Sequence, residues 1–217
     1  MFISFGLNVA FLTILHWGVP SGKSKWVSIH CIVNMVVACL TYEDMLSYII
    51  KPLGLRDSNN YYPLILVLLL HAYHILFYTC VFMDYIHHII MCSLISVPLL
   101  ASSKIIALSN TLLFFVCGLP GGIDYYNMYR VYQGQLPSIL EKKYNSWLNI
   151  YVRAPGILYT AYLVWIHYLT DYPVFNQWYC VLSIFILIWN AQYFAREVCI
   201  SYGRNERRLE TEKQRKL

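Results

Sequence analysis

The chain has 217 residues, 59% of them hydrophobic and 12% charged, against roughly 45–50% and about 25% in soluble globular proteins; its mean hydropathy is +0.50. So little polar surface cannot cover so much apolar surface. That excludes a cytosolic enzyme, a disordered chain and a secreted disulfide scaffold, and leaves an all-α, polytopic membrane protein. The net charge of +5 is uneven, with seven Lys/Arg from Arg196 onward interleaved with Glu206, Glu210 and Glu212. Such a tail suits the cytoplasmic face of a membrane and its anionic lipid better than nucleic acid.

In chain order, seven apolar stretches read as spans: residues 2–17, 26–42, 61–83, 86–101, 105–119, 156–170 and 174–195. The third is long enough, at about 1.5 Å per residue, to cross a hydrocarbon core of about 30 Å. The fourth and fifth, with Pro98 and Lys104, can also be read as a re-entrant pair. The first has no basic leader and no small-residue cleavage site, so it reads as an uncleaved span. With the N-terminus outside, 13 Lys/Arg fall on the cytoplasmic side and three outside (Lys51, Arg56, Lys104), which supports seven spans and a cytoplasmic C-terminus. The expected organisation is a first span and loop (1–22), a helical membrane domain (23–203) and a basic tail (204–217).

The one long polar connection, 120–155, opens just after a glycine-rich span end, Gly118-Leu119-Pro120-Gly121-Gly122, read as a bend. Its second half mixes Ile139, Leu140, Trp147 and Leu148 with Glu141, Lys142 and Lys143. That mixture fits an amphipathic helix on the membrane surface or an ordinary loop. The seven cysteines form no C-x-x-C and read as buried free thiols.

Ionisable groups at membrane depth are costly and mark functional candidates. His30 lies in the second stretch. His71 and His74 share one helical face of the third. Asp84, His87 and His88 open the fourth, where the carboxylate can cap the helix and hold the His87 ring N–H. Asn110 and Asn190 lie in the fifth and seventh. His16 and His167, at span ends, read as bundle hydrogen-bonding groups. Histidine supplies the general base that acyl transfer needs. No lysine in 174–195 could anchor retinal, and no phosphate-binding glycine motif or nucleophile elbow occurs. A di-iron centre would need repeated H-x-x-H-H boxes, which this chain matches poorly. No metal and no bound cofactor are expected.

The order of these features resembles the TLC domain family, which includes ceramide synthases, translocon-associated proteins and regulators of membrane lipid composition. The resemblance rests on Lys23 to Trp26 leading into Val27-Ser28-Ile29-His30, on His71-Ala72-Tyr73-His74, on Asp84-Tyr85-Ile86-His87-His88, and on Ile188-Trp189-Asn190 through Tyr193-Phe194 before a basic tail. It covers about residues 23–204. It implies a helical bundle around a lipid-sized cavity in the endoplasmic reticulum or a related membrane. In ceramide synthases the adjacent histidine pair is catalytic, in acyl transfer from acyl-CoA to a sphingoid amine; His87 and His88 match that pair. The acidic stretch that the synthases carry in the following span reads Ala107-Leu108-Ser109-Asn110 here, and 121–126 has no counterpart.

Two readings therefore stand. In the first, the protein is a lipid acyltransferase with His87 or His88 as general base and Asp84 as its orienter. His30, His71, His74, Asn110 and Asn190 would then line the substrate site, and Arg130, Lys142, Lys143 and Arg153 would attract the phosphates of acyl-CoA as co-substrate. In the second, it binds lipid or regulates membrane composition without catalysis. A transporter or channel ranks third, without broken-helix repeats to support it. Membrane lipids are the expected partners, nucleic acid is not, and a homo-oligomer is compatible with either reading.

Overall fold

The computed structural model describes residues 2–22, 24–54, 56–100, 103–170 and 176–215; the side chains at 83, 94, 95, 97–100, 103 and 104 lie outside that description. Helices account for the architecture, and no strand occurs among the described residues. They are α1 (Phe2–Gly18), α2 (Lys25–Ile50), α3 (Tyr62–Phe77), α4 (Phe82–Leu100), α5 (Ser103–Leu113), α6 (Leu119–Tyr132), α7 (Ser138–Leu148), α8 (Ala154–Thr170) and α9 (Gln177–Gln214).

Helix α2 is the hub and packs against α3, α5 and α6, while α8 pairs with α9, and α7 bridges α6 and α9. Val33 and Val37 of α2 are fully buried against Leu66, Ile106 and Leu113. Large apolar side chains also stand on the outside: Phe2 is 88% exposed and Trp178 is 78% exposed. Water would not tolerate such a surface, and hydrocarbon would.

Among the described residues, three helical segments are long and apolar enough to cross a membrane: Lys25–Ile50, Ile105–Tyr132 and Gln177–Gln214. The apolar helices Phe2–Gly18 and Tyr62–Phe77 are shorter, at about 24–26 Å by helical rise. Of the seven expected spans, these three meet the criterion of length and composition. The third stretch is corrected outright. It does not run unbroken through 61–83, because α3 ends at Phe77, where Tyr78 turns extended and its N–H closes onto the His74 carbonyl. Asp84 then starts α4 by accepting the Val81 N–H at 2.9 Å, a carboxylate at a helix N-terminus.

The fifth stretch is corrected in the other direction. It continues through the expected polar connection as one helical rod, Ile105–Tyr132, containing a π-helical turn at Phe114–Gly118. A second π-helical turn, Asn149–Arg153, joins α7 to α8. Each is followed two residues later by a proline, Pro120 and Pro155, and π turns are where helices absorb such defects. Close approach fixes the α2–α6 contact: a Cβ at Gly121 would lie 2.7 Å from Asn34 Nδ2, and one at Gly122 would overlap Met35.

The seventh stretch and the tail form a single helix of 38 residues, about 57 Å long and longer than a hydrocarbon core. The Asn176 side chain caps it, accepting from the Trp178 and Tyr179 N–H groups. The expected starts and ends at Val174, Ala101 and Leu217, and the basic residues Lys23 and Lys216, lie outside the described residues.

Candidate functional site

Six helices and two π turns line a cavity of about 310 Å³, within the range of small-ligand sites. Helix α2 supplies Trp26, His30 and Asn34 at i, i+4 and i+8, one face of a helix. From α3 come His71 and His74; from α4, Asp84, His87 and His88. Helix α6 adds Asp124 and Tyr125, α7 and its π turn add Asn145, Asn149 and Arg153, and Phe194 of α9 closes one side.

Hydrogen bonds fix several ring orientations. His71 Nδ1 lies 2.7 Å from the Val67 carbonyl and His30 Nδ1 lies 3.2 Å from the Trp26 carbonyl. A carbonyl only accepts, so both Nδ1 atoms carry the proton and both Nε2 atoms of the neutral rings keep a lone pair. His88 Nε2 meets His74 Nδ1 at 2.9 Å. His88 is 5% exposed, and its Nδ1 is buried with no partner. The His71, His87 and His88 rings form a triangle with centroid separations of 5.7, 5.0 and 5.5 Å.

Arg153 has a backbone origin. Pro120 has no N–H, so the Val116 carbonyl, four residues back, is left free. Arg153 Nε–H donates to it at 2.9 Å. The guanidinium also donates to Asn190 Oδ1 at 3.0 Å and lies 4.7 Å over the Phe194 ring. Among the described residues Arg153 has no ion-pair partner, and Asp124 Oδ1 in the same cavity has no hydrogen bond. A guanidinium held only by neutral acceptors is suited to an anion.

A second, largely apolar cleft of about 220 Å³ adjoins this cavity between α4 and α9. It shares Asp84, His87, Met91 and Phe194 with the cavity and is walled by Ile90 and Trp189. The arrangement is therefore a polar chamber with an apolar annex, the shape of an amphiphile's head and chain.

His30, His71, His74, Asp84, His87, His88 and Arg153 all line the one chamber, and Asn190 joins through Arg153 and lines the cleft. The remaining expected site residues are elsewhere. Asn110 is fully buried in a separate knot, donating to Asp44 Oδ2 at 2.7 Å and to the Asn60 carbonyl at 3.1 Å. Lys142 pairs with Glu141 at 2.9 Å, Lys143 lies over the Trp147 ring, and Arg130 lies over the Tyr126 ring. The expected basic patch is thus divided, with Arg153 alone of the four at the chamber. Asp84 spends its carboxylate on Val81, and no hydrogen bond joins it to His87. His16, expected to bond within the bundle, meets the Tyr73 hydroxyl at 2.8 Å. Sequence reasoning missed Asp124, Tyr125 and Asn149, because a proline at 120 was read as the end of a span. The signal available was the glycine pair that lets α6 lie against α2.

Comparison with models of protein families, with curated proteins and with solved structures finds no match to this chain. Fold and chamber together define the class: among the described residues an all-helical protein, with three helices apolar and long enough to cross a membrane, built around a histidine-lined cavity.

Proposed function

We propose that this is a multi-pass membrane protein with a TLC-like bundle of about seven spans that acts on lipids, transferring an acyl group from acyl-CoA to an amphiphilic acceptor. One observation carries the reading: five histidines, two carboxyl groups and an arginine surround one chamber that opens onto an apolar cleft. The cleft takes the chain, the chamber takes the reacting head, and Arg153 takes an anionic group of the donor. As the acceptor attacks the acyl carbonyl, a histidine lone pair accepts its proton; the thioester C–S bond then breaks, and the imidazolium returns the proton to the departing coenzyme A thiolate. By the resemblance, His87 and His88 match the synthase pair, and His30, whose Nε2 keeps a lone pair, lines the same chamber. The location consistent with this reading is the endoplasmic reticulum or a related membrane, with the C-terminus cytoplasmic.

The test is purified protein in lipid nanodiscs with acyl-CoA and a sphingoid or glycerol acceptor, reading release of free coenzyme A. Release that disappears in His87→Ala/His88→Ala supports the reading. Equal release from the double variant removes the pair from the mechanism.

One observation favours the second, non-enzymatic reading. His74 and His88 bond each other, and His30 and His71 bond their own helices, so the imidazoles partly satisfy one another. Lipid bound by the protein but unchanged after incubation would support it.

A further inference from the structure

We infer that His71, His87 and His88 bind a single divalent transition-metal ion of the zinc class, with its fourth coordination position open to the chamber. One nitrogen from each of the three lies within 4.8 Å of the others. An ion about 2.0–2.1 Å from each nitrogen would bring tetrahedral ligand atoms to about 3.4 Å and ring centroids to about 5.2 Å. The observed centroid separations of 5.7, 5.0 and 5.5 Å already bracket that value.

The protonation pattern points the same way. His71 is held by its Nδ1–H to the Val67 carbonyl, which turns a bare Nε2 outward. If His88 donates its Nε2–H to His74 Nδ1, the buried and unpartnered His88 Nδ1 is a bare lone pair as well. The opposite tautomer would bury an N–H with nothing to accept it, at a cost of about 1–3 kcal/mol. A metal ligand whose other ring nitrogen donates to a neighbour is the usual arrangement, and His71 and His88 both have it. Asp84 and Asp124 line the same chamber and offset a dication's charge. Three imidazoles suit zinc, and three protein ligands with one open position are the arrangement of catalytic sites. This demand is smaller than a di-iron centre's, so the poor match to repeated histidine boxes does not bear on it.

A second triad, His74, Cys80 and His88, also has ligand atoms within 4.8 Å. It is disfavoured because His74 and His88 already spend nitrogens on each other, and because Cys80 is not among the chamber's lining. The inference concerns binding and does not rest on acyl transfer. Where both hold, His87 and His88 are ligands and the proton passes to His30.

The test uses the full chain, purified in nanodiscs through a tag without histidine, with zinc content by mass spectrometry, affinity by equilibrium dialysis and cobalt(II) as a visible probe. The expected result is one zinc per chain and a cobalt spectrum of tetrahedral nitrogen ligation. Affinity should fall at least about 100-fold in His71→Ala and His87→Ala, fall about 10–100-fold in His74→Ala, and hold in His30→Ala. His87→Cys should gain a thiolate-to-cobalt charge-transfer band, which keeps the inference testable should an alanine variant fold poorly. Wild-type protein without stoichiometric metal would overturn it. So would a thiolate band in wild type that Cys80→Ser abolishes, because the ion would then sit in the second triad. Because the readout is metal and not turnover, a protein that binds zinc without acyl transfer, or transfers without zinc, is distinguished.

Discussion

Two buried polar clusters lie along α2, about 21 Å apart for the 14 residues between His30 and Asp44. Around Asp44 the donors are spent, and the Asn110 Oδ1 acceptor is left without a hydrogen bond among the described residues. Asn110 and Ser58 donate to its carboxylate, Asn110 also bonds the Asn60 carbonyl, and Asn60 bonds the Leu40 carbonyl. Around His30 the account stays open. Asp124 Oδ1 and His88 Nδ1 have no partner, and the His30 and His71 Nε2 lone pairs have none among the described residues. The first cluster bonds chiefly to itself and locks α2 to α5; the second surrounds space and leaves several acceptors for something else to satisfy. Buried polar groups at the two ends of one helix thus carry different meanings, and what separates them is whether the acceptors left over face a cavity.

The largest effect that sharpens this contrast is expected in the open cluster. If the chamber transfers acyl groups, His87→Ala/His88→Ala should lower turnover by about 10²–10⁴-fold, the worth of a positioned general base. Its thermal unfolding should stay near wild type, read by intrinsic fluorescence in nanodiscs. Turnover lost together with the fold would merge the two clusters into one structural role.

The closed cluster should respond in the opposite sense. Asp44→Ala strands the Asn110 amide and the Ser58 hydroxyl and should cost about 2–3 kcal/mol of stability. Lipid binding to the protein that remains folded should not change. A lipid-binding defect at unchanged stability would show that the Asp44 knot is a site.

Arg153 connects backbone and chamber, so its variants test both. Arg153→Ala orphans the Val116 carbonyl and should destabilise by about 1–3 kcal/mol. Adding Pro120→Ala restores an N–H for that carbonyl and should recover part of the loss, a coupling measurable as a double-mutant cycle. Affinity for an anionic ligand should not recover, because the guanidinium is still missing. Strict additivity of the two substitutions would break the link between proline and arginine.

The smallest effects are expected from the other members of the expected basic patch. Arg130→Ala and Lys143→Ala should change stability by no more than about 0.5 kcal/mol, and the KM for acyl-CoA should move by about two-fold or less. A KM that rises ten-fold would return these residues to the substrate path and enlarge the open cluster beyond the chamber.

Composition alone argued against a water-soluble fold, because 12% charge leaves little polar surface to cover so much apolar surface. Helical period put His71 beside His74, and the cost of ionisable groups in apolar stretches singled out His30, Asp84, His87 and His88 from the sequence. Tertiary structure decided how the helices divide. A run of apolar residues carries no mark for the break at Phe77, since nothing in 61–83 is a glycine or an internal proline, and only packing of α3 against α4 folds it back. Pro120 looked like an end because a proline loses one helical bond. The α6 helix continues because Arg153, 33 residues away in sequence, satisfies the carbonyl that the proline leaves free. The same limit explains Asn110 and Asp124. Whether a buried polar side chain closes a knot or faces a cavity depends on which distant donors and acceptors reach it, and the order of residues along a chain does not contain those distances.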